Sequence, residues 1–81
     1  MEVRVLYFAS FRDAAGRDEE ARELPSGCRV GELWQELARD VPGFSRFLSM
    51  PAAAINREYA SAEAELHDGD EVAFLPPVAG G

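Results

Sequence analysis

The sequence of 81 residues contains no lysine, one cysteine and one histidine. Cys28 alone cannot form an internal disulfide, and Cys28 and His67 together offer too few ligands for a structural metal site. No apolar run approaches the ~20 residues of a membrane-spanning helix, and the first residues do not resemble a signal peptide. We therefore expect a cytoplasmic protein that binds no metal and no membrane.

Basic residues are scarce and all of one kind. Eight arginines stand against fifteen acidic residues, which gives a net charge of −7. This excess of negative charge repels nucleic-acid phosphates and argues against DNA or RNA as a direct partner. Partners with basic surfaces are favoured instead. Because lysine is absent, the chain cannot accept an isopeptide bond on one of its own side chains.

The last six residues combine two prolines with two glycines, in the order Pro76, Pro77, Val78, Ala79, Gly80, Gly81. Proline cannot continue a sheet ladder, so this segment is expected to leave the strand before it. Glycine has no Cβ atom and can enter a channel too narrow for other residues. The pattern predicts a flexible tail, ending in a carboxylate, that another protein holds and modifies. Simple terminal fraying is the alternative.

Hydrophobic periodicity predicts an alternation of strands and helices in the rest of the chain. Apolar residues at helical spacing predict one main amphipathic helix that begins at Val30, with Trp34 in the core. Ser10 is a candidate cap for a short helix that ends at Gly16, and the second strand is polar, as an edge strand should be. The strands are predicted at residues 2–8, 19–24, 52–56, around Tyr59 and at 71–75, and the helices at 10–15 and 30–41.

An uncovered apolar patch is the second predicted feature. One helix covers one face of such a sheet, yet Leu6, Phe8, Ala73 and Leu75 alternate onto the other face. If the first and last strands are neighbours, these residues lie together where the tail begins. We interpret the patch as a surface that docks a partner. The alternative is that loops cover it.

Several further positions lie outside the tail and the apolar patch. Arg29 stands where a helix cap is expected, so Ser26 or water must satisfy the first amides of the main helix. Cys28 is expected to be an inert, partly buried thiol and His67 a surface residue. The acids at 68, 70 and 71, close to the tail in sequence, either steer docking onto basic partners or form a solvated turn.

Two stretches, VRVLYFASFRDAAG and LHDGDEVAFLPPVAGG, resemble the MoaD family, the small subunits of molybdopterin synthase within the ubiquitin-like MoaD/ThiS superfamily. The resemblance covers the whole chain and includes VGELWQEL in the main helix. It implies an α+β, β-grasp (ubiquitin-like) fold, with a mixed four- to five-stranded sheet and one main helix on one face. Residues 1–77 would form this domain and residues 78–81 a flexible Gly-Gly tail.

The resemblance also implies a carrier cycle in which the chain is not catalytic alone but donates sulfur as a subunit of a heteromeric sulfurtransferase. A MoeB-like enzyme uses ATP to adenylate the carboxylate of Gly81. A sulfur donor, such as a cysteine desulfurase or a rhodanese, then converts it to a thiocarboxylate. The tail enters a MoaE-like large subunit, within a heterotetramer, and donates sulfur to cyclic pyranopterin monophosphate. No cofactor is expected on the domain itself.

Individual site residues follow from the same resemblance. Gly81 matches the position that carries sulfur, and Gly80 the position that threads the partner's tunnel. Phe8, Tyr59 and Leu75 match the family's apolar contact positions for both partners. The family usually has leucine at the position of Tyr59. The remaining expected partner contacts are Pro76, Pro77, Val78 and Ala79.

Other functions remain open at this stage. A sulfur carrier for thiazole synthesis or tRNA thiolation would use the same chemistry, but such carriers tend to be shorter and to lack the Pro-Pro-Val break. A ubiquitin-like protein modifier and a plain interaction domain are the further alternatives.

Overall fold

A computed structural model describes residues 1–46 and 50–76 of the chain. The sequence also predicts a short apolar turn at Phe44, Phe47 and Leu48. The last two of these residues lie outside the described ones, as does the tail from Pro77 to Gly81. The elements in chain order are β1 (Glu2–Tyr7), α1 (Ala9–Ala15), β2 (Glu19–Glu23), α2 (Val30–Asp40), a 3₁₀ turn (Phe44–Arg46), β3 (Ala52–Ile55), β4 (Glu58–Ala60) and β5 (Glu71–Leu75).

Within the described residues the strands form one mixed sheet in the order β2-β1-β5-β3-β4. The central pair, β1 and β5, is parallel, and the other neighbouring pairs are antiparallel. The polar strand β2 lies at one edge, as its sequence indicates. This topology, with the main helix on one face, confirms the predicted β-grasp fold and the predicted order of its elements.

The core lies between α2 and the face of the sheet that receives alternate residues of β1 and β5. Val5 and Val72 are Cα partners across the parallel pair, and both are fully buried. From α2, Trp34 packs against this layer and stacks on Phe44, with ring centroids 5.4 Å apart. The prediction of Trp34 as a core residue is confirmed, and Phe44 closes the core from the 3₁₀ turn.

The short helix α1 begins earlier than predicted, and Ser10 is not its cap. The cap position is Phe8, whose side chain makes no capping hydrogen bond. The carbonyl oxygen of Phe8 accepts a hydrogen bond from the N–H of Phe11 at 3.0 Å, so Ser10 already lies within the helix. The predicted end is confirmed, because Gly16 adopts the left-handed conformation (φ 75°) that favours glycine.

The first amides of α2 are satisfied neither by Ser26 nor by water, which corrects the expectation for the cap at Arg29. The N–H of Val30 donates to the carbonyl oxygen of Ala64 at 3.0 Å, and that of Gly31 donates to Ala62 at 2.9 Å. A Cβ at position 31 would lie 3.2 Å from the Cβ of Ala62, so glycine permits this close approach. The capping groups come from a distant loop, which a local pattern cannot identify.

A network of polar side chains joins β1, β2 and α2 at the sheet edge. The hydroxyl of Tyr7 donates to the carboxylate of Glu20. Arg22 lies 3.5 Å from Glu20 and donates to the carboxylate of Asp40 at 2.8 Å. Burial and the Glu20 hydrogen bond raise the pKa of Tyr7, whereas the hydrogen bond from Arg22 lowers the pKa of Asp40. The network holds the end of α2 against the edge strand.

Replacing Asp40 by asparagine is expected to destabilise the fold at neutral pH but not in acid. The pKa of Asp40 in the folded chain lies below its ordinary value of 3.8, so the ionised form contributes stability above that value. This contribution is lost as the pH falls through the folded-state pKa. Urea unfolding of both proteins from about pH 7 down to about pH 3 measures the difference in their midpoints, which should shrink at the acid end.

Asp13→Asn, which removes an exposed carboxylate of α1, is the matched control. If the Asp40→Asn difference stayed constant over the whole pH range, ionisation of Asp40 would not be coupled to folding.

Candidate functional site

The sheet face opposite α2 carries a shallow depression of about 470 Å³. Side chains from β1, β3, β4 and β5, together with Phe8 just after β1, form its apolar lining. We call this feature the apolar depression, and its apolar residues are Leu6, Phe8, Ala54, Tyr59, Ala73 and Leu75. It coincides with the apolar patch predicted from the alternation of β1 and β5, so no described loop covers that patch.

The depression is hollow because its centre is built from alanine. Ala73 of β5 is the Cα partner of Leu6 on one side and of Ala54 on the other. Ala54 in turn pairs with Tyr59 across the β3–β4 hairpin. Two small side chains therefore form the floor, and larger ones surround it. Sheet pairing alone brings together residues from four segments of the chain.

Two of the surrounding side chains are unusually exposed for their type. Phe8 is 44% exposed and Tyr59 is 82% exposed, and among the described residues these are the large hydrophobic side chains that remain exposed. Leu6 and Leu75 are partly exposed, whereas their neighbours Tyr7 and Phe74 are buried in the core. Aromatic and leucine side chains gain free energy when a partner removes them from water. The depression therefore has the composition of a docking surface.

The depression runs along β5 from Glu71 to Leu75, and the chain continues into the tail from its Leu75 end. Leu75 is the last residue of β5, and Pro76, which follows, is partly buried. The predicted positions for tunnel threading and sulfur transfer, Gly80 and Gly81, lie outside the described residues with Pro77, Val78 and Ala79. The structure therefore brings Phe8, Tyr59 and Leu75 together beside the root of the tail, and their role in partner binding stays a prediction.

The three acids that are close to the tail in sequence lie at the opposite end of β5, and for Asp68 and Asp70 the structure favours the turn, one of the two interpretations. Glu71 begins β5, and about 13 Å of strand, at ~3.3 Å per residue, separates it from Leu75. Asp68 accepts a hydrogen bond from the N–H of Glu2 at 2.8 Å, and Asp70 accepts one from His67 at 2.8 Å. These two carboxylates stabilise the turn before β5 rather than face a partner at the tail.

A charged residue that the sequence pattern did not indicate also lines the depression. Arg57 lies in the two-residue connection between β3 and β4, and its side chain contributes to the rim together with Glu19 and Glu71. Asn56 indicates a tight turn at this point of the sequence, because asparagine favours the first position of a two-residue hairpin loop. Because only two residues separate β3 from β4 in the sequence, Arg57 would then lie at the tip of a hairpin, close to Tyr59.

The cysteine and the histidine contribute no reactive centre. Cys28 is buried, its thiol donates to the carbonyl oxygen of Arg29 at 3.6 Å, and burial raises its pKa. His67 is exposed and lies 3.5 Å from the carboxylate of Glu65. Among residues 1–46 and 50–76, no cluster of histidine, cysteine and carboxylate side chains has the geometry to hold a metal ion. No helix in that part of the chain is long and apolar enough to span a membrane.

Comparison with known families assigns the chain. The model of the ThiS family matches residues 5–81. The chain belongs to the ThiS family. A molybdopterin synthase sulfur carrier subunit from Mycobacterium tuberculosis is 39% identical to it over 84 residues, which cover 100% of this chain and 99% of that relative.

Solved structures of similar proteins have the same fold. A putative molybdopterin converting factor, subunit 1, from Pyrococcus furiosus superposes with a TM-score of 0.80 and 38% identity, over 96% of this chain and 99% of that chain. A chain from the complex of subunits 1 and 2 of the molybdopterin-converting factor from Helicobacter pylori gives a TM-score of 0.68 and 26% identity, with 100% of both chains covered.

Phe8→Asp is expected to leave this ThiS-family fold intact. Phe8 is 44% exposed, so its replacement should change the free energy of unfolding by about 1 kcal/mol or less. Phe74→Asp is the matched control, because Phe74 is fully buried and a carboxylate there should cost more than about 4 kcal/mol. Circular dichroism during urea unfolding measures the free energy of unfolding of both variants. Loss of the folded state in Phe8→Asp would show that this face belongs to the core.

Proposed function

We propose that this chain is the sulfur carrier subunit of a molybdopterin synthase. The observation that carries the proposal is the match, from end to end of the chain, to relatives that bear this name. The geometry agrees with it, because an exposed apolar depression lies where β5 leads into Pro-Pro and the Gly-Gly tail. Such an arrangement suits a domain that partners hold while they act on its last residue.

The carboxylate of Gly81 is the group that changes in the proposed cycle. A carboxylate with a pKa of ~3.5 is ionised at neutral pH and resists nucleophilic attack. A MoeB-like enzyme would activate it: a carboxylate oxygen attacks the α-phosphorus of ATP and pyrophosphate leaves. The terminal sulfur of a persulfide, on a cysteine desulfurase or a rhodanese, then attacks the acyl carbon and displaces AMP. A thiol cleaves the S–S bond of the resulting acyl persulfide and is itself oxidised to a disulfide, which leaves a thiocarboxylate on Gly81. ATP belongs to the activating enzyme in this scheme, not to the carrier.

The tail delivers this sulfur to a MoaE-like large subunit. An extended segment from Pro77 to Gly81 spans roughly 13 Å at ~3.3 Å per residue, which is enough to cross the wall of a partner. A side chain at position 80 or 81 would obstruct that passage. The large subunit would hold cyclic pyranopterin monophosphate and supply the acid–base groups. Two loaded carriers on a heterotetramer would provide the two dithiolene sulfurs.

The apolar depression is the proposed docking surface for the large subunit and for the activating enzyme in turn. Phe8, Tyr59 and Leu75 supply aromatic and aliphatic anchors around an alanine floor. The solved Helicobacter pylori complex of subunits 1 and 2 supports a large-subunit partner for a chain of this fold. Because the same surface would serve both partners, the carrier must leave one before it docks with the other.

Loading of the carrier is tested first, by intact mass after incubation with an activating enzyme, ATP and a sulfur donor. Replacement of one carboxylate oxygen by sulfur should add ~16 Da. A variant that lacks Gly81 is the control and should gain nothing. If the unmodified chain gained no mass with any cognate activating enzyme, the whole class of sulfur carriers would be excluded.

Transfer is tested with the loaded chain, a MoaE-like subunit and the pterin precursor. Formation of a dithiolene product supports the molybdopterin assignment. Loading without this product would leave a carrier for thiazole synthesis or tRNA thiolation, and attachment of the chain to lysines of other proteins would indicate a ubiquitin-like modifier.

Phe8→Asp should weaken binding of the carrier to the large subunit at least tenfold, since a carboxylate would replace an apolar anchor at a cost of about 1.4 kcal/mol or more. Isothermal titration calorimetry measures this dissociation constant. Asp13→Asn, on α1, is a surface control. Equal affinity of the Phe8 variant and the unmodified chain would remove the depression from the interface.

A further inference from the structure

The carrier cycle gives no role to Arg57, a charged residue on the rim of the apolar depression. We propose that Arg57 binds a carboxylate of the large subunit, beside the apolar side chain that enters the depression. This inference rests on the proposed function and extends it by naming the chemistry of one contact. It identifies a specificity-determining residue in a chain whose overall charge favours basic partners.

The backbone at Arg57 has a conformation that suits glycine better than arginine. Asn56 and Arg57 form the two-residue loop of the β3–β4 hairpin, with φ angles of 50° and 72°. Such a type I′ turn requires positive φ at both positions, and its preferred sequence is Asn-Gly. Asn56 fits that preference, whereas Arg57 carries a side chain that disfavours the left-handed region. Turn stability therefore does not account for arginine at this position.

The hairpin tip is held firmly, so the position of Arg57 is defined. The side-chain oxygen of Asn56 accepts a hydrogen bond from the N–H of Glu71 at 3.0 Å, and its side-chain nitrogen donates to Asp70 at 3.0 Å. The backbone N–H of Asn56 donates to the carbonyl oxygen of Glu71 at 2.8 Å. Three hydrogen bonds thus join the tip to the start of β5. A group on a fixed turn loses less entropy when it binds than one on a mobile loop.

Charges alternate across the sheet at this end of the depression. Glu19 of β2 lies 3.8 Å from Arg4 of β1, and Arg4 is the Cα partner of Glu71 on β5. Glu71 is in turn 4.0 Å from Arg57. The row therefore runs negative, positive, negative, positive, and it ends at Arg57. A negative group from a partner continues this alternation, whereas a positive group would be repelled by Arg57.

The guanidinium of Arg57 has N–H donors that remain accessible to a partner. Its side chain is 91% exposed, and among the described residues its ion pair is with Glu71, at 4.0 Å, beyond hydrogen-bond distance. Guanidinium offers five N–H donors in a planar fork that matches a carboxylate. Arg57 also lines the same depression as Tyr59 and Leu75. A partner segment with an apolar side chain next to an aspartate or glutamate matches both features at once.

The test compares two charge reversals by calorimetric titration against the large subunit from the same organism. Arg57→Glu removes the proposed contact, and Arg39→Glu makes the same change of net charge on α2, on the opposite side of the sheet. Arg57→Glu should bind at least about tenfold more weakly than Arg39→Glu, because a charged hydrogen bond becomes a repulsion. The difference between the dissociation constants of the two variants should become smaller at about 1 M salt, because salt screens the interaction between the charges.

Arg57→Gly separates recognition from folding. Glycine relaxes the turn, so its melting temperature should be equal to or above that of the unmodified chain, while its affinity for the large subunit falls about threefold to tenfold. Arg57→Lys, which keeps the charge without the fork, should lie between the unmodified chain and Arg57→Gly in affinity. A purely structural role would change the melting temperature and the affinity in the same direction.

Two results are decisive against the inference. If Arg57→Glu and Arg39→Glu bind within about twofold of each other, Arg57 makes no contact with a carboxylate and only net charge matters. If the unmodified chain does not bind the large subunit at all, the proposed function is wrong, and the inference is wrong with it.

Discussion

The parallel pairing of β1 with β5 is the constraint on which the rest of this structure depends. It joins the beginning of the chain to its end, at the centre of the sheet, through the partners Val5 and Val72. Strand alternation then divides each of the two strands between two tasks. One set of side chains forms the core with α2, and the other set, with Leu6 beside Ala73, forms the apolar depression. The pairing also places the root of the tail beside that depression.

Features controlled by short-range patterns could be predicted from the sequence. The apolar stripe of α2, the edge character of β2 and the left-handed glycine at position 16 each depend on neighbouring residues, and the structure has all of them. The uncovered patch was predictable because it needs only the period of a strand and one assumption about which strands pair. Its depth was not predictable, since the alanine floor requires β3 to lie beside β5.

Features that depend on distant segments could not be predicted. The amides of Val30 and Gly31 are satisfied by a loop more than thirty residues away in sequence. Acids close to the tail in sequence lie at the far end of β5, because the extended strand between them and the tail holds its two ends far apart. Asn56 indicates the tight turn that contains Arg57, but the position of this turn beside the depression depends on the pairing of β3 with β5, which the sequence does not show.

The small size of the domain explains why it contributes recognition and leaves the chemistry of the proposed cycle to other proteins. A domain of this size has one core. Lysine is missing from the chain, and burial raises the pKa of the Cys28 thiol, so the surface offers neither an amine side chain nor a thiolate. An activated carboxylate on such a chain meets few competing nucleophiles of its own. What the fold offers a partner is an apolar depression with Arg57 on its rim. In the proposed cycle the reactive groups lie on the partners, which act on the last residue of the chain once the domain has docked.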